Sequence, residues 1–180
     1  MPTIFIYNNY TNRVERYVRR LSDPMPYNIG NTLSVGEFRG KSRANILWTD
    51  RRTMEAWNRF RRIWGRTISV GYAFRRIWED GHSSQSQHYA GVAFDVGQNL
   101  TYNQRVALRN FAFNSGVWTY VEPIALTPRW VHFDKRFGTP ACARGGFPEL
   151  RVGTRGNYVF ILQDALSALG YTGAGLDGVY

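Results

Sequence analysis

Helix-like and strand-like patterns follow one another along this chain without the regular alternation of a parallel α/β protein. The clearest helix is predicted from residue 51, because Thr49-Asp50 offers an N-terminal cap and Gly65 can end it. Its inward face carries apolar residues at helical spacing: Met54, Trp57, Phe60, Ile63 and Trp64. A second helix is predicted over 101–115, ended by Gly116. Strands are predicted over 3–7, 67–73, 88–96, 117–121 and 130–133.

This mixture favours an α+β fold, with helices packed on a small central antiparallel sheet. Two segments before the first clear helix are less regular. The arginines between residues 13 and 20 predict a basic helix near 11–21. Residues 22–40 contain prolines and glycines and are predicted to form a loop.

Length and charge limit the class of protein further. At 180 residues the chain is long enough for one domain with its own core, and a single cysteine, Cys142, allows no intramolecular disulfide. No apolar run reaches the roughly 18 residues of a membrane span, and no signal peptide is visible at the N-terminus. The net charge of +10 predicts attraction to polyanions, either nucleic acid or anionic wall polymers. Alternatively, the arginines over 13–20 and 51–66 form the solvated faces of two helices.

One short motif carries candidate metal ligands. His88 and Asp95 stand seven residues apart around Gly91. On a regular strand an odd spacing places two side chains on opposite faces, so these two can converge only if the backbone bends, and Gly91 is well placed for that. His132, on a later strand-like stretch, is the third candidate. One carboxylate and two imidazoles suit Zn²⁺ and leave a fourth position for water, whereas a lone histidine on a strand is more often a core residue.

The same residues carry a resemblance. Ser86-x-His88-x-x-Gly91-x-Ala93-x-Asp95, followed by Trp130-Val-His132-x-Asp134, resembles the zinc D-alanyl-D-alanine carboxypeptidase family, which is related to the vancomycin-resistance D,D-dipeptidases and to hedgehog-type metal folds. The resemblance covers about residues 33–136. It implies a hedgehog/D,D-peptidase-like α+β fold with one zinc per chain, held by His88, Asp95 and His132.

The resemblance also implies substrate-binding residues. The family places an arginine after the strand that precedes the histidine motif, where it binds the carboxylate end of the substrate, and Arg75 stands there, with Arg76 as the alternative. A guanidinium fork matches a carboxylate in two hydrogen bonds, although a surface arginine is an equal interpretation. Ser86 is expected to hydrogen-bond the substrate or its own loop, and Trp130 to wall the cleft. His82, in the same polar loop, is expected to be exposed to solvent.

The general base is less clear from the sequence. Many relatives have an acidic residue three to six positions before the last zinc histidine, where this chain has Leu126 to Arg129. Glu122, ten residues before His132, is the nearest upstream carboxylate, and a hairpin of the two flanking strands places it beside the metal strand. Asp134 shares a strand face with His132 and is the rival, either as base or as a group that orients a ligand.

The tail differs in composition from what precedes it. Residues 1–136 are predicted to be the peptidase domain, 137–149 a linker, and 150–180 the truncated start of a peptidoglycan-binding repeat, which the tail resembles. A C-terminal helix is predicted there from apolar residues at helical spacing: Val159, Leu162, Leu166 and Leu169. Such a helix must dock on the domain, associate with another chain, or stay mobile.

Together these features predict a zinc-dependent peptidase that hydrolyses amide bonds in peptidoglycan stem peptides, as a D,D-carboxypeptidase or an endopeptidase. The alternative is a non-catalytic wall-binding module that retains the metal site. Peptidoglycan and anionic wall polymers are the expected partners, nucleic acid is not, and the expected location is extracytoplasmic, in association with the cell wall. Neither a P-loop nor a dinucleotide fingerprint is present in the sequence.

Overall fold

A computed structural model of the protein describes residues 1–79, 85–136, 147–173 and 175–180. The predicted α+β class is confirmed, and the described residues form two small sheets and four helices. In chain order these are β1 Thr3–Asn8, β2 Arg13–Val18, α1 Val35–Arg39, β3 Ile46–Asp50, α2 Arg51–Trp64, β4 Val70–Tyr72, β5 Ala93–Val96, α3 Tyr102–Ser115, β6 Tyr120–Val121, β7 Val131–Asp134 and α4 Asn157–Ala168.

The first sheet has the strand order β2-β1-β3 and is mixed, because β1 pairs antiparallel with β2 and parallel with β3. The prediction of a basic helix near 11–21 is wrong: this segment contains β2. Residues 8–12 turn the chain back, with Asn12 at φ 53, a left-handed conformation that asparagine tolerates. All six residues of β2 then pair with β1. Residues 13–18 form a strand because β1 lies beside them, and the local residue pattern does not indicate this pairing.

The loop predicted over 22–40 contains one short helix. In α1, the Ser34 hydroxyl accepts a hydrogen bond from the Glu37 backbone N–H at 3.1 Å, and the Glu37 carboxylate accepts one from the Ser34 N–H at 2.8 Å. This is a capping box, a Ser-x-x-Glu signature that the sequence contains and the prediction overlooked.

The prediction of α2 is confirmed at both ends. The Asp50 carboxylate accepts a hydrogen bond from the Thr53 N–H at 2.6 Å, and Gly65 ends the helix at φ +69. Trp57 and Phe60 are fully buried, whereas Ile63, predicted to face inward, is 43% exposed.

The second sheet has the order β4-β5-β7-β6 and is antiparallel throughout. Strands β4, β5 and β6 are shorter than predicted, and β7 has the predicted length but is shifted by one residue. Residues 88–92 form turns that lead into β5. One face packs on α2: the Trp57 ring lies 4.7 Å from the Phe94 ring, and the Phe60 ring 5.1 Å from the Phe133 ring. Alternation along the strands then turns Asp95, His132 and Asp134 to the other face.

Helix α4 docks on the first sheet. Its Phe160 ring stacks on Phe5 at 5.0 Å and on Trp48 at 5.5 Å between centroids. The buried face therefore centres on Phe160 rather than on the predicted leucines, and Leu169 is 75% exposed. Helix α4 is also tied to the loop after β4, because Asp164 pairs with Arg76. The division at 137–149 into a linker and a separate repeat stays a prediction. No helix of the described ranges has both the length and the apolar character to cross a membrane.

Candidate metal centre

The three predicted ligands come together in the structure. His88, Asp95 and His132 each offer a ligand atom, and these atoms all lie within 4.8 Å of one another. Asp95 and His132 are directly paired on the neighbouring antiparallel strands β5 and β7, so their side chains share one face of the sheet. His88 reaches them from the turns before β5, where its Nε2 lies 3.3 Å from Asp95 Oδ2.

The bend predicted at Gly91 is confirmed. Gly91 has φ +69, a left-handed conformation that most residues avoid. Its α-carbon also sits against β3, because an added Cβ would lie 2.0 Å from the Trp48 carbonyl oxygen. Two side chains of β3 hold the turns there: Thr49 Oγ1 donates to the Gly91 carbonyl at 2.7 Å, and Trp48 Nε1 donates to the Tyr89 carbonyl at 2.8 Å. Glycine is therefore required at this position, both for the backbone conformation and for space.

The ring of His88 is oriented by the backbone. Its Nδ1 lies 2.6 Å from the Ala73 carbonyl oxygen, which can only accept, so Nδ1 carries the proton. Nε2 is therefore the ring nitrogen on the side of Asp95. The Tyr72 ring packs edge-to-face on the His88 ring at 4.7 Å between centroids. His88 is only 4% exposed, so its orientation is fixed by packing as well as by hydrogen bonding.

His132 lies between two carboxylates. Its Nδ1 is 2.7 Å from Asp95 Oδ1, and its Nε2 is 2.9 Å from Asp134 Oδ2. Asp134 is completely buried and also accepts two hydrogen bonds from the Arg136 side chain, from Nε at 2.9 Å and from a terminal nitrogen at 2.6 Å. A buried carboxylate behind a ligand histidine fixes its tautomer and increases its basicity. Asp134 is placed to hold Nε2–H, which leaves Nδ1 for a metal.

The charges of the centre depend on one another. Burial raises the pKa of Asp95, but the hydrogen bonds from His132 and His88 outweigh it and hold this pKa well below its usual range. Burial lowers the pKa of His132, but its hydrogen bonds to Asp134 and Asp95 outweigh that and raise the pKa to about 9. Without metal, Asp95 is therefore ionised and His132 protonated at neutral pH. A cation that binds here takes the place of the proton on His132.

Glu122 lies beside this centre. The pairing of Val121 with Phe133 continues to the next residues, where the Glu122 N–H donates to the His132 carbonyl at 2.9 Å. Glu122 and His132 are thus opposite each other and on the same face of the sheet. Glu122 is half-buried, and among the described residues its carboxylate has no hydrogen-bond partner.

The predicted substrate-binding residues lie at different depths. Arg75 is 2% exposed, one of its terminal nitrogens donates to the Phe74 carbonyl at 3.1 Å, and its guanidinium stacks on the Tyr72 ring at 3.9 Å. Ser86 Oγ accepts a hydrogen bond from the His88 N–H at 3.3 Å, so it supports the turn that carries this ligand. Trp130 is half-buried and precedes β7.

Three residues near the ligands were missed in the sequence. Tyr72 contacts His88, and Arg136 holds Asp134 while it stacks on the Tyr120 ring at 3.9 Å. The period of two along β6 and β7 could have placed Tyr120 on the face of His132, and the short spacing from Asp134 could have indicated Arg136. Two predictions, on His82 and Cys142, concern residues outside the described ranges.

Within the described residues, only one group of three or more histidine, cysteine, aspartate or glutamate side chains lies close enough together to share a metal ion. This group is His88, Asp95 and His132. Comparison with known proteins adds no family to this geometry. The chain matches no protein-family model, no curated protein and no solved structure at a significant level.

Proposed function

We propose that the protein is a zinc-dependent peptidase that hydrolyses amide bonds in peptidoglycan stem peptides, as a D,D-carboxypeptidase or an endopeptidase. The observation that carries this proposal is the convergence of His88, Asp95 and His132 within 4.8 Å. The sequence motif around these residues supports the substrate class and, with it, a hedgehog/D,D-peptidase-like fold.

The donor set fits zinc. His88 Nε2, a carboxylate oxygen of Asp95 and His132 Nδ1 would hold the ion, since the other nitrogen of each imidazole already faces an oxygen of the protein. Two imidazoles with one carboxylate are a common zinc set, and three protein ligands are typical of catalytic rather than structural sites. When bound, zinc supplies a Lewis acid that polarises a carbonyl and acidifies water.

The residues around the ligands have separate tasks in this proposal. Asp134 is a positioning residue, because it is buried, bonded to Arg136 and directed at His132 Nε2. Glu122 is the general base: its carboxylate has no partner among the described residues and would take a proton from the attacking water and return it to the leaving amine. This geometry favours Glu122 over Asp134 for proton transfer.

The substrate contacts remain predictions within this proposal. Ser86 and Trp130 flank the ligand-bearing turns and strand and are proposed to border the stem peptide. Arg75 is proposed to anchor a carboxylate of the stem peptide, and it lies against Tyr72, which in turn packs on His88. Extracytoplasmic, wall-associated action and binding of peptidoglycan belong to the same proposal.

A non-catalytic wall-binding module is the second candidate function. It is favoured by the pairing of Asp95 with His132 at 2.7 Å, which balances the charge of the site without any metal. In that case the cluster is structural, either as an ion pair or as a retained metal site, and the wall is bound without being cut.

Two measurements test the proposal. Elemental analysis of the purified protein should find about one zinc per chain, and His88→Ala should lose it, while Asn103→Ala, at an exposed position of α3, should keep it. Incubation with purified peptidoglycan should release D-alanine or new amines, and mass spectrometry of defined muropeptides identifies the bond. Zinc without product would favour the binding module, and no zinc in the wild type would remove the metal claim.

A further inference from the structure

A groove on the C-terminal half of α2 collects positive charge away from the metal ligands. It has a volume of about 660 Å³, and its lining combines residues of α2 with residues of the loop before α1. Four arginines line it, Arg59, Arg61, Arg62 and Arg66, against a single carboxylate. That carboxylate, Glu55, already accepts hydrogen bonds from Arg51 at 2.8 Å and from the Tyr10 hydroxyl at 2.6 Å.

The groove arginines are not neutralised by the protein. Within the described parts of the chain, none of the four forms an ion pair with a carboxylate, and the buried Nε of Arg61 has no acceptor. Arg59 and Arg62 are exposed and stand three residues apart on α2, and Arg66, also exposed, follows the Gly65 turn that ends the helix. Like charges at this spacing destabilise a helix unless an anion offsets them.

The chemistry of these arginines indicates which kind of anion they would bind. All four cations are guanidinium groups, which bind phosphate oxygens in pairs of hydrogen bonds. Four separate guanidinium groups around one groove favour several linked phosphates over a single one. Among the described residues that line the groove, none is aromatic, and the neighbouring Trp64 ring is already stacked with Arg66 at 5.6 Å. The groove lining itself therefore lacks the base-stacking surface typical of single-stranded nucleic acid sites.

We propose that this groove binds a linear polymer of phosphate diesters, with poly(glycerol phosphate) as the representative ligand. The groove would hold the protein on an anionic polymer while the metal centre acts elsewhere on the surface. The proposal depends on the charge and shape of the groove and not on the metal site, so either can fail without the other.

The test measures binding of purified poly(glycerol phosphate) to the full-length purified protein over a range of salt concentrations. The triple variant Arg59→Gln/Arg62→Gln/Arg66→Gln should bind at least tenfold more weakly, and its salt-dependence slope should fall by about two to three. The control is Arg13→Gln/Arg16→Gln/Arg20→Gln, which removes the same charge from exposed positions on and after β2. It should change binding by less than threefold. Thermal melts and circular dichroism spectra verify that both variants fold.

Three results would overturn the proposal. Equal weakening of both triple variants would show attraction to net charge without a site. Inorganic phosphate that competes as well per phosphate as the polymer would show a simple anion site. Tighter binding of a DNA duplex of equal charge, lost in the groove variant, would assign the arginines to nucleic acid.

Discussion

The fit of Gly91 against β3 makes a quantitative prediction about how the metal centre is held. Gly91→Ala would add a methyl group 2.0 Å from the Trp48 carbonyl oxygen, closer than atoms can approach. It would also place alanine at φ +69, which costs about 1–2 kcal/mol. Gly65→Ala is the matched control, because Gly65 has the same φ of +69 and nothing within 4 Å of the added Cβ.

Both substitutions therefore carry the energetic cost of alanine in a left-handed backbone conformation. Only Gly91→Ala carries the additional cost of a steric clash. Gly65→Ala should lower the free energy of unfolding by about 1 kcal/mol, since alanine also restricts the unfolded chain. Gly91→Ala must in addition move the turns away from β3. This costs about 1–3 kcal/mol of strain and weakens buried hydrogen bonds from Thr49 and Trp48, each of about 1 kcal/mol. We expect a total loss of about 3–5 kcal/mol.

Urea denaturation in EDTA measures both losses, and zinc titration measures the effect on the site. Gly91→Ala should weaken zinc binding because His88 lies on the displaced turn, whereas Gly65→Ala should leave it unchanged. If both variants lose the same stability, or if Gly91→Ala keeps full zinc affinity, contact with β3 does not position His88.

Other residues make predictions that separate their roles. Glu122→Gln should keep zinc but lower kcat by about 10²–10⁴-fold in a peptidoglycan assay, and retained activity would point to Asp134 as the base. Asp134→Asn should weaken zinc binding by about 10–100-fold in a competition titration, because His132 loses its charged partner, and unchanged affinity would contradict the positioning role. The pKa of His132 is raised to about 9 without metal, so zinc binding at pH 7 should release about one proton. Fewer protons should be released as the pH rises through 9. Calorimetry in buffers of different ionisation enthalpy counts the released protons. The same raised pKa stabilises the metal-free fold below about pH 6.5, and this contribution is lost as the pH rises through 9. Phe160→Ala should cost about 3–5 kcal/mol in one cooperative urea transition, whereas a separate early transition would show that α4 unfolds independently.

The sequence predicted best where local chemistry decides the structure. Helix α2 follows from its own caps and apolar spacing, and the structure places both ends as expected. The bend before β5 follows from the spacing of His88 and Asp95 around a glycine. In both cases the residues that determine the structure lie within a few positions of one another.

The sequence predicted poorly where the structure of a segment depends on a partner that is distant in the chain. The sequence of β2 has the pattern of a basic helix, and only its pairing with β1 makes it a strand. Strand β3 was missed because its parallel partner β1 is about 40 residues away. The task of Asp134 could not be chosen from the sequence for the same reason. Only the structure shows that Arg136 and His132 nitrogens surround this carboxylate.

The packing of the second sheet also determines how a bound metal would affect the stability of the fold. Asp95 and His132 lie on paired strands whose opposite face is packed against α2, with Phe94 and Phe133 in the core. Their positions are therefore set by burial of aromatic side chains, before any ion binds. In the metal-free state the protonated His132 balances Asp95, so removal of zinc does not leave a buried, unpaired carboxylate. A bound zinc ion would then stabilise the protein only through its binding free energy, whereas a zinc finger needs its ion to fold. EDTA should consequently lower the melting temperature without abolishing cooperative unfolding, and loss of the near-ultraviolet circular dichroism signal on chelation would show that the ion, rather than the aromatic core, organises this sheet.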